Sequence, residues 1–344
     1  MGDTGNTRAD DVLVVVIGRN EGPRLGACLT AALAQRGPVV YIDSGSRDGS
    51  VEIARDLGVE VIELAEEQGY TAARARNRGL RVASDRSFGL VQFVDADCFL
   101  QPGWLDAGRE ALLRDDGLAV VVGHLRERHP EATVWNRLCD LEWRGPLGEI
   151  SACGGNMLAR VGPLARLGGF REDLIAGEEP ELCLRLRRAG HRIQRLDLPM
   201  ATHDAAMTRA SQWWKRTVRS GFVLAEGVAL HGKDKERYKV RDLAGVLLWA
   251  VLAPAFIAVA TVLWFPVGAV SIGVYPAQFA RLWMRECRGL GLGFGALRAA
   301  SLVVCKFAQL QGVLTFLASR ASGGRARLIE YKRAERAGKG ALSR

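Results

Sequence analysis

From residue 243 to residue 280 the chain carries no charged side chain. As helix, at about 1.5 Å per residue, such a run reaches roughly 57 Å, close to twice the ~30 Å hydrocarbon thickness of a bilayer. Pro254, Pro266 and Pro276 interrupt it. A turn near Phe265-Pro266-Val267-Gly268 makes it a hairpin of two spans, or a tilted or re-entrant one. Arg241 flanks one side and Arg281, Arg285 and Arg288 the other, so the positive-inside rule puts both flanks on the cytoplasmic face. A further apolar stretch, 299–319, is interrupted by Lys306, Gln309 and Gln311 and reads as an interfacial helix rather than a span. A buried helix of a soluble domain is the alternative for either stretch.

This run also explains the charge. The formal total is +9, which invites a nucleic-acid partner. Residues 241–344 hold 14 Lys/Arg against 4 Asp/Glu, leaving 33 basic and 34 acidic residues in 1–240. The first two-thirds is near neutral, and the last third is both basic and apolar. That distribution argues for no nucleic acid and for anionic lipid headgroups as the partner of the tail. Seven scattered cysteines form no C-x-x-C pair, so neither a disulfide framework nor a zinc site is indicated, and a reducing compartment fits. The first apolar run, 12–17, is too short for the core of a signal peptide, which places the first domain in the cytoplasm.

Strands at 12–17, 39–42, 59–62 and 90–94 alternate with helical segments at 25–33, 51–57 and 71–83, the second capped by Asp48 or Ser50. This is the pattern of βαβ units and a mostly parallel sheet. Further elements are a helix at 104–114, a strand at 118–124, a turn at Gly154-Gly155, a helix at 179–189, a strand at 192–196 and a Trp-rich helix at 212–225. The divisions are a polar tail (1–11), an α/β domain (12–228), a basic linker (229–242), the apolar hairpin (243–280) and a basic amphipathic or interfacial region (281–344). In open α/β sheets ligands bind at the carboxyl ends of strands, where residues 18–21, 43–46 and 95–97 fall.

Asp95-Ala96-Asp97 ends an apolar strand. One carboxylate can take a ribose hydroxyl and the other a divalent cation, which prefers hard oxygen ligands and bridges a diphosphate; a solvated turn is the bland alternative. Asp43, at a strand tip in Asp43-Ser44-Gly45-Ser46-Arg47-Asp48-Gly49-Ser50, can accept a hydrogen bond from a base N–H such as the uracil imide. Arg74, Arg76 and Asn77 share a helix, either as a solvated basic face or aimed at phosphates or a base pocket. Glu178, Glu179 and Glu181 open a helix. The dipole favours acids there, yet three exceed what a cap needs and can furnish a base for a sugar hydroxyl. His203 is a structural histidine or a Mn²⁺ ligand. Trp213 and Trp214 with Arg216 and Arg219 suit sugar rings and pyrophosphate, or anchor at a membrane interface.

Taken together with Arg19-Asn20-Glu21, Ala75-Arg76-Asn77-Arg78-Gly79, Gly154-Gly155-Asn156-Met157 and Gly177-Glu178-Glu179-Pro180-Glu181-Leu182, these motifs resemble family 2 glycosyltransferases of the GT-A fold over about residues 12–225. The membrane-associated C-terminal part resembles that of bacterial exopolysaccharide glycosyltransferases. The resemblance implies an α/β, Rossmann-like GT-A domain at a cytoplasmic membrane, facing the cytoplasm. It implies a nucleotide-sugar donor, UDP-linked, held by Ile17, Arg19, Glu21, Asp43, Arg76, Asp95 and Ala96. Asp97 and His203 would hold Mn²⁺ or Mg²⁺, and Arg216 and Arg219 the diphosphate. Gly155, Asn156, Glu178, Trp213 and Trp214 would face the donor sugar and acceptor. Glu179 stands where the family has Asp and is the expected base of an inverting displacement, with Glu178 beside it. The acceptor is a lipid-linked saccharide, with polysaccharide-assembly proteins as possible partners. Polyprenyl-phosphate glycosyl transfer is the rival enzyme, and a catalytically inactive nucleotide-sugar-binding adaptor the rival from another class.

Overall fold

The computed structural model describes residues 11–66 and 69–322. The polar residues 1–10 and the basic residues 323–344 lie outside the described residues. The chain divides into two compact units, Met1–Thr208 and Arg209–Arg344.

The first unit runs β1 (Val12–Gly18), α1 (Pro23–Leu33), β2 (Val39–Asp43), α2 (Ser50–Asp56), β3 (Glu60–Glu63), α3 (Ala72–Asp85), β4 (Leu90–Asp95), β5 (Cys98–Leu100), α4 (Trp104–Arg114), β6 (Leu118–Glu127), α5 (Val134–Trp143), β7 (Gly148–Glu149), β8 (Met157–Arg160), α6 (Val161–Arg166), α7 (Glu178–Arg188) and β9 (Arg192–His203). One sheet has the order β3-β2-β1-β4-β8-β6-β9-β5, with β7 paired to β9. β1 is central and covered on both faces, which is why all six residues of its apolar run are buried. Helix α3 approaches it closely: a Cβ on Gly79 would stand 2.2 Å from Val15 Cγ1.

The sheet is mixed rather than mostly parallel. β1 to β4 are parallel, but β8 is antiparallel to both β4 and β6, and β5 to β9. The cause is the 151–156 loop, which lies at the carboxyl end of β4, so β8 enters the sheet from that edge. The α2 cap also differs from expectation. Gly49, in the left-handed region at φ 85°, is the N-cap, and Asp48 accepts from the Ser50 N–H instead. Strand β9 continues past Leu196 to His203 because it pairs with both β6 and β5.

The second unit contains α8 (Ala210–His231), α9 (Val240–Leu247), a π-helical turn at Leu248–Leu252, α10 (Ala253–Leu263), α11 (Phe265–Ser271), α12 (Val274–Leu290) and α13 (Leu292–Ala321). The Trp-rich helix therefore belongs here, not to the first unit, and it takes in residues 229–231 of the expected linker. Its partner is α13. A Cβ on Gly221 would meet the Gln309 carbonyl at 2.0 Å, and one on Gly312 the Val218 carbonyl at 2.0 Å, so glycine alone permits this crossing. The π turn precedes Pro254, whose missing N–H cannot complete a regular helical turn; the Ala253 N–H reaches back to the Leu248 carbonyl. The hairpin turns at Trp264, and Gly268 packs on Thr261. The returning arm is not one span: α11 has 7 residues and α12 carries the three arginines. Among the described residues two helices, Val240–Leu263 and Leu292–Ala321, are long and apolar enough to cross a membrane. The stretch expected to lie only at the interface thus sits in a helix of spanning length.

Candidate active site

Parallel register brings the ends of β1, β2 and β4 to one edge, with Gly18 opposite Asp43 and Ile17 opposite Asp95. Ile17 is buried there, its carbonyl accepting from the Ala96 N–H at 2.9 Å. The loops beyond are stitched together. The Asn20 N–H donates to Ser46 Oγ at 2.9 Å, its Oδ1 accepts from the Arg47 N–H at 2.8 Å, and the Gly22 N–H donates to Ser50 Oγ at 3.0 Å. Asp43 is 1% exposed, and its carboxylate accepts from the Tyr41 hydroxyl and the Gly45 and Ser46 N–H groups, each at 2.8 Å. Three of its roughly four acceptor positions are thus used within its own loop. Its first task is to shape that loop. Gly45, at φ 76°, leaves room for Tyr70, whose ring a Cβ would meet at 2.5 Å. The Arg19 guanidinium lies over the same ring, 4.9 Å from its centroid. Glu21 pairs with Arg24 at 2.6 Å.

Arg76 is the centre of the site. It is 2% exposed and reaches three carboxylates: Nη1 donates to Glu178 Oε1 at 2.7 Å and lies 3.1 Å from Glu179 Oε1, while Nη2 donates to Asp95 Oδ1 at 2.8 Å. Burial opposes its charge, but the three acids outweigh burial and hold the guanidinium more firmly protonated than usual. One cation facing three carboxylates leaves a surplus of negative charge. Burial and the neighbouring Glu178 charge push the Glu179 carboxyl up to about 7, against the pull of Arg76. That value suits a general base at neutral pH. Gly155 is packed against this cluster: a Cβ there would stand 1.9 Å from Arg76 Nη2 and 3.0 Å from Glu179 Oε1. Asn156 fixes the strand end, its Oδ1 accepting from the Asp95 N–H at 3.0 Å and its Nδ2 pointing to Cys98 Sγ at 3.3 Å.

A second cluster lies beside the first. Asp97 is buried, with Oδ2 3.0 Å from His203 Nε2, and Trp143 stacks on the imidazole at 4.4 Å. Cys98 stands opposite His203 in the β5–β9 register. Ligand atoms of Asp97, Cys98 and His203 all lie within 4.8 Å of one another, a carboxylate oxygen, a thiol and an imidazole nitrogen that together fit a divalent cation. Behind them Glu127 accepts from the His129 and Ala205 N–H groups, each at 3.1 Å, tying the end of β6 to the segment just after His203; burial raises its carboxyl.

Not every sequence candidate joins these clusters. Arg74 is neither solvated nor free for phosphate, because its guanidinium donates to the Ala65 and Gly69 carbonyls. Asn77 is spent on Phe170, accepting from its N–H and donating to its carbonyl at 2.8 Å each. Trp213, Trp214, Arg216 and Arg219 stand on α8 in the second unit. Trp213 is buried rather than open as a flat surface, and Trp214 Nε1 donates to Gln311 Oε1 at 2.8 Å. Conversely, Tyr70, Cys98 and Trp143 enter the site without having been singled out. Of these only Cys98 had a signal, its place directly after Asp97.

The model of the family described as glycosyl transferase family 2 matches residues 13–160. The glycosyltransferase AglE of Haloferax volcanii is 26% identical over 256 residues, which is 70% of this chain and 80% of that protein. The pre-mycofactocin glycosyltransferase of Mycobacterium tuberculosis is 26% identical over 258 residues, 71% of this chain; the chain spans about half, 53%, of that relative. Among solved structures, the mannosyltransferase PcManGT of Pyrobaculum calidifontis, in complex with GDP-Man and Mn²⁺, matches with a TM-score of 0.59 at 19% identity. The likeness covers 89% of this chain and 87% of that one, and it is a likeness of fold.

Proposed function

We propose, from the premise that the chain carries a family 2 glycosyltransferase domain of GT-A fold, that it moves a sugar from a nucleotide-diphosphate sugar to a hydroxyl of a lipid-linked saccharide, with inversion. The observation that carries this reading is the Arg76 cluster, in which an acid raised to about 7 stands beside two further carboxylates at the strand ends. Glu179 takes the proton of the acceptor hydroxyl. Arg76 orients Glu179 and Glu178 and ties them to Asp95, which faces the donor ribose. Arg19 and Tyr70, at the tip of β2, offer a cation and an aromatic face to the base, while Asp43 holds the loop that forms this side. Asp97 and His203, with Cys98 beside them, are the residues that would hold Mn²⁺ or Mg²⁺; a cation there supplies positive charge to the departing diphosphate. A phosphate acceptor needs little base catalysis, so the raised Glu179 favours a hydroxyl acceptor over a polyprenyl phosphate.

The second unit supports a membrane acceptor through its two helices of spanning length and its basic character. The reading further takes the first unit to face the cytoplasm. The test is a donor screen on the full chain in detergent, following release of nucleoside diphosphate from UDP- and GDP-sugars with Mn²⁺ or Mg²⁺. Metal-dependent release from one donor, stimulated by a lipid-linked saccharide, is the expected result. Nucleotide-sugar binding without any release would favour the inactive adaptor.

A further inference from the structure

A pair of thiols lies directly behind the Arg76 cluster. Cys153 Sγ and Cys183 Sγ are 3.5 Å apart although the two residues are separated by 30 positions in sequence. Each sulfur belongs to one side of the site. Cys153 is two residues before Gly155, on the loop that packs against Arg76. Cys183 is one helical turn beyond Glu179, on α7. We propose that Cys153 and Cys183 are a redox pair, and that their oxidation by a peroxide to a disulfide staples the Gly154-Gly155 loop to α7 and reversibly stops sugar transfer.

The chemistry balances with the peroxide as sole co-reactant. The Cys183 thiolate attacks one peroxide oxygen, the O–O bond breaks, and the departing hydroxide takes a proton to become water. Cys183 is then a sulfenic acid. The Cys153 sulfur attacks Cys183 Sγ, the S–O bond breaks, and the leaving oxygen takes the Cys153 proton to become a second water. Two thiols have lost two electrons to one peroxide, and a thiol reductant returns them by exchange. Cys183 is the better attacker, since its contact with Cys153 holds its thiol below the ordinary range. Cys153 is 9% exposed and Cys183 1%, so access suits an oxidant of two heavy atoms rather than a bulky disulfide.

Inhibition follows from the packing. A disulfide needs the sulfurs at about 2.05 Å, so the 3.5 Å separation must shrink by about 1.5 Å, shared between side-chain rotation and approach of the loop to the helix. Gly155 has no room to yield, as a Cβ there would already stand 1.9 Å from Arg76 Nη2 and 3.0 Å from Glu179 Oε1. Whatever share the loop takes presses on Arg76 or the base. This consequence rests on the glycosyltransferase reading; the formation of the bridge does not.

The test treats the full chain in detergent with hydrogen peroxide, blocks remaining thiols with N-ethylmaleimide, and digests with trypsin. The expected product is a disulfide-linked peptide joining residues 145–160 to 172–185, abolished by dithiothreitol. Transfer should fall by about an order of magnitude or more and return with the reductant. Cys153→Ser and Cys183→Ser should each keep basal transfer and lose the sensitivity to peroxide. Two separately modified cysteines with no linked peptide would overturn the proposal, as would a linked peptide with undiminished transfer. Absence of transfer in untreated protein counts against the glycosyltransferase reading and not against the bridge, which mass alone reads.

Discussion

At the residue scale, the base proposed at Glu179 comes at a cost in stability. Glu179 is only 16% exposed in its side chain, and its carboxyl stands at about 7 against an ordinary 4.5. Because the folded state holds this proton more tightly than the unfolded chain, the contribution to stability falls as pH rises between those two values. Glu179→Gln removes the buried charge. Its free energy of unfolding should therefore exceed that of the parent above pH 7, by on the order of 1 kcal/mol or more, while kcat drops roughly 10²–10⁴-fold. A variant that is neither slower nor more stable at pH 8 sinks the assignment of the base. In the parent, kcat/KM should fall about tenfold per pH unit below about 7, and Glu179→Gln should lack this limb. Asp97 and His203 carry a separate prediction: Asp97→Ala should abolish the dependence of donor binding on Mn²⁺, read by calorimetry with and without the metal. An unchanged metal dependence would remove Asp97 from the cation.

At the scale of the element, the strand-end loops decide what the residues can do. Gly154 and Gly155 adjoin in sequence but differ in surroundings. A Cβ on Gly154 meets nothing within 4 Å, whereas one on Gly155 would enter the Arg76 guanidinium. Gly154→Ala should be nearly silent, and Gly155→Ala should cost roughly 1–3 kcal/mol by overpacking and most of the transfer rate. Equal effects of the two, in urea unfolding and in turnover, would contradict this packing. The same contrast marks the limit of what was legible in the sequence. The β-branched run 12–17 and the amphipathic period of α3 state their structure locally, so β1 to β4 and α1 to α3 fall within a few residues of expectation, whereas β5, α5, β7, β8 and α6 and the end of β9 carry no such local signal. Asp95-Ala96-Asp97 likewise announces itself at the end of a strand. The Arg76–Glu178 pair spans 102 positions, and no local pattern signals it. Arg76, Arg74 and Asn77 look alike on one helix, yet their partners come from β4 and α7, from the Ala65 and Gly69 carbonyls, and from Phe170 respectively. The partner of the Trp-rich helix is hidden for a related reason: nothing local signals that glycine at 221 lets it cross α13 so closely.

At the scale of the whole molecule, the charge and the apolar run act at different ranges. The net positive balance of residues 241–344 attracts anionic lipid at about 1 kcal/mol per basic residue near the surface, an effect confined to a Debye length. Apolar helices of spanning length, by contrast, are held by burial of their side chains in hydrocarbon, which salt does not screen. The two contributions separate by flotation of the full chain with vesicles. If the apolar run inserts, protein reconstituted into phosphatidylcholine vesicles should stay with them at about 1 M salt, where the Debye length is near 3 Å. Phosphatidylglycerol should then change the rate on a lipid-linked acceptor at low salt without changing how much protein floats. Release by salt alone would mean that charge is the only tether. The hydrophobic run would then be the covered interior of a helical unit, and the acceptor need not be membrane-borne.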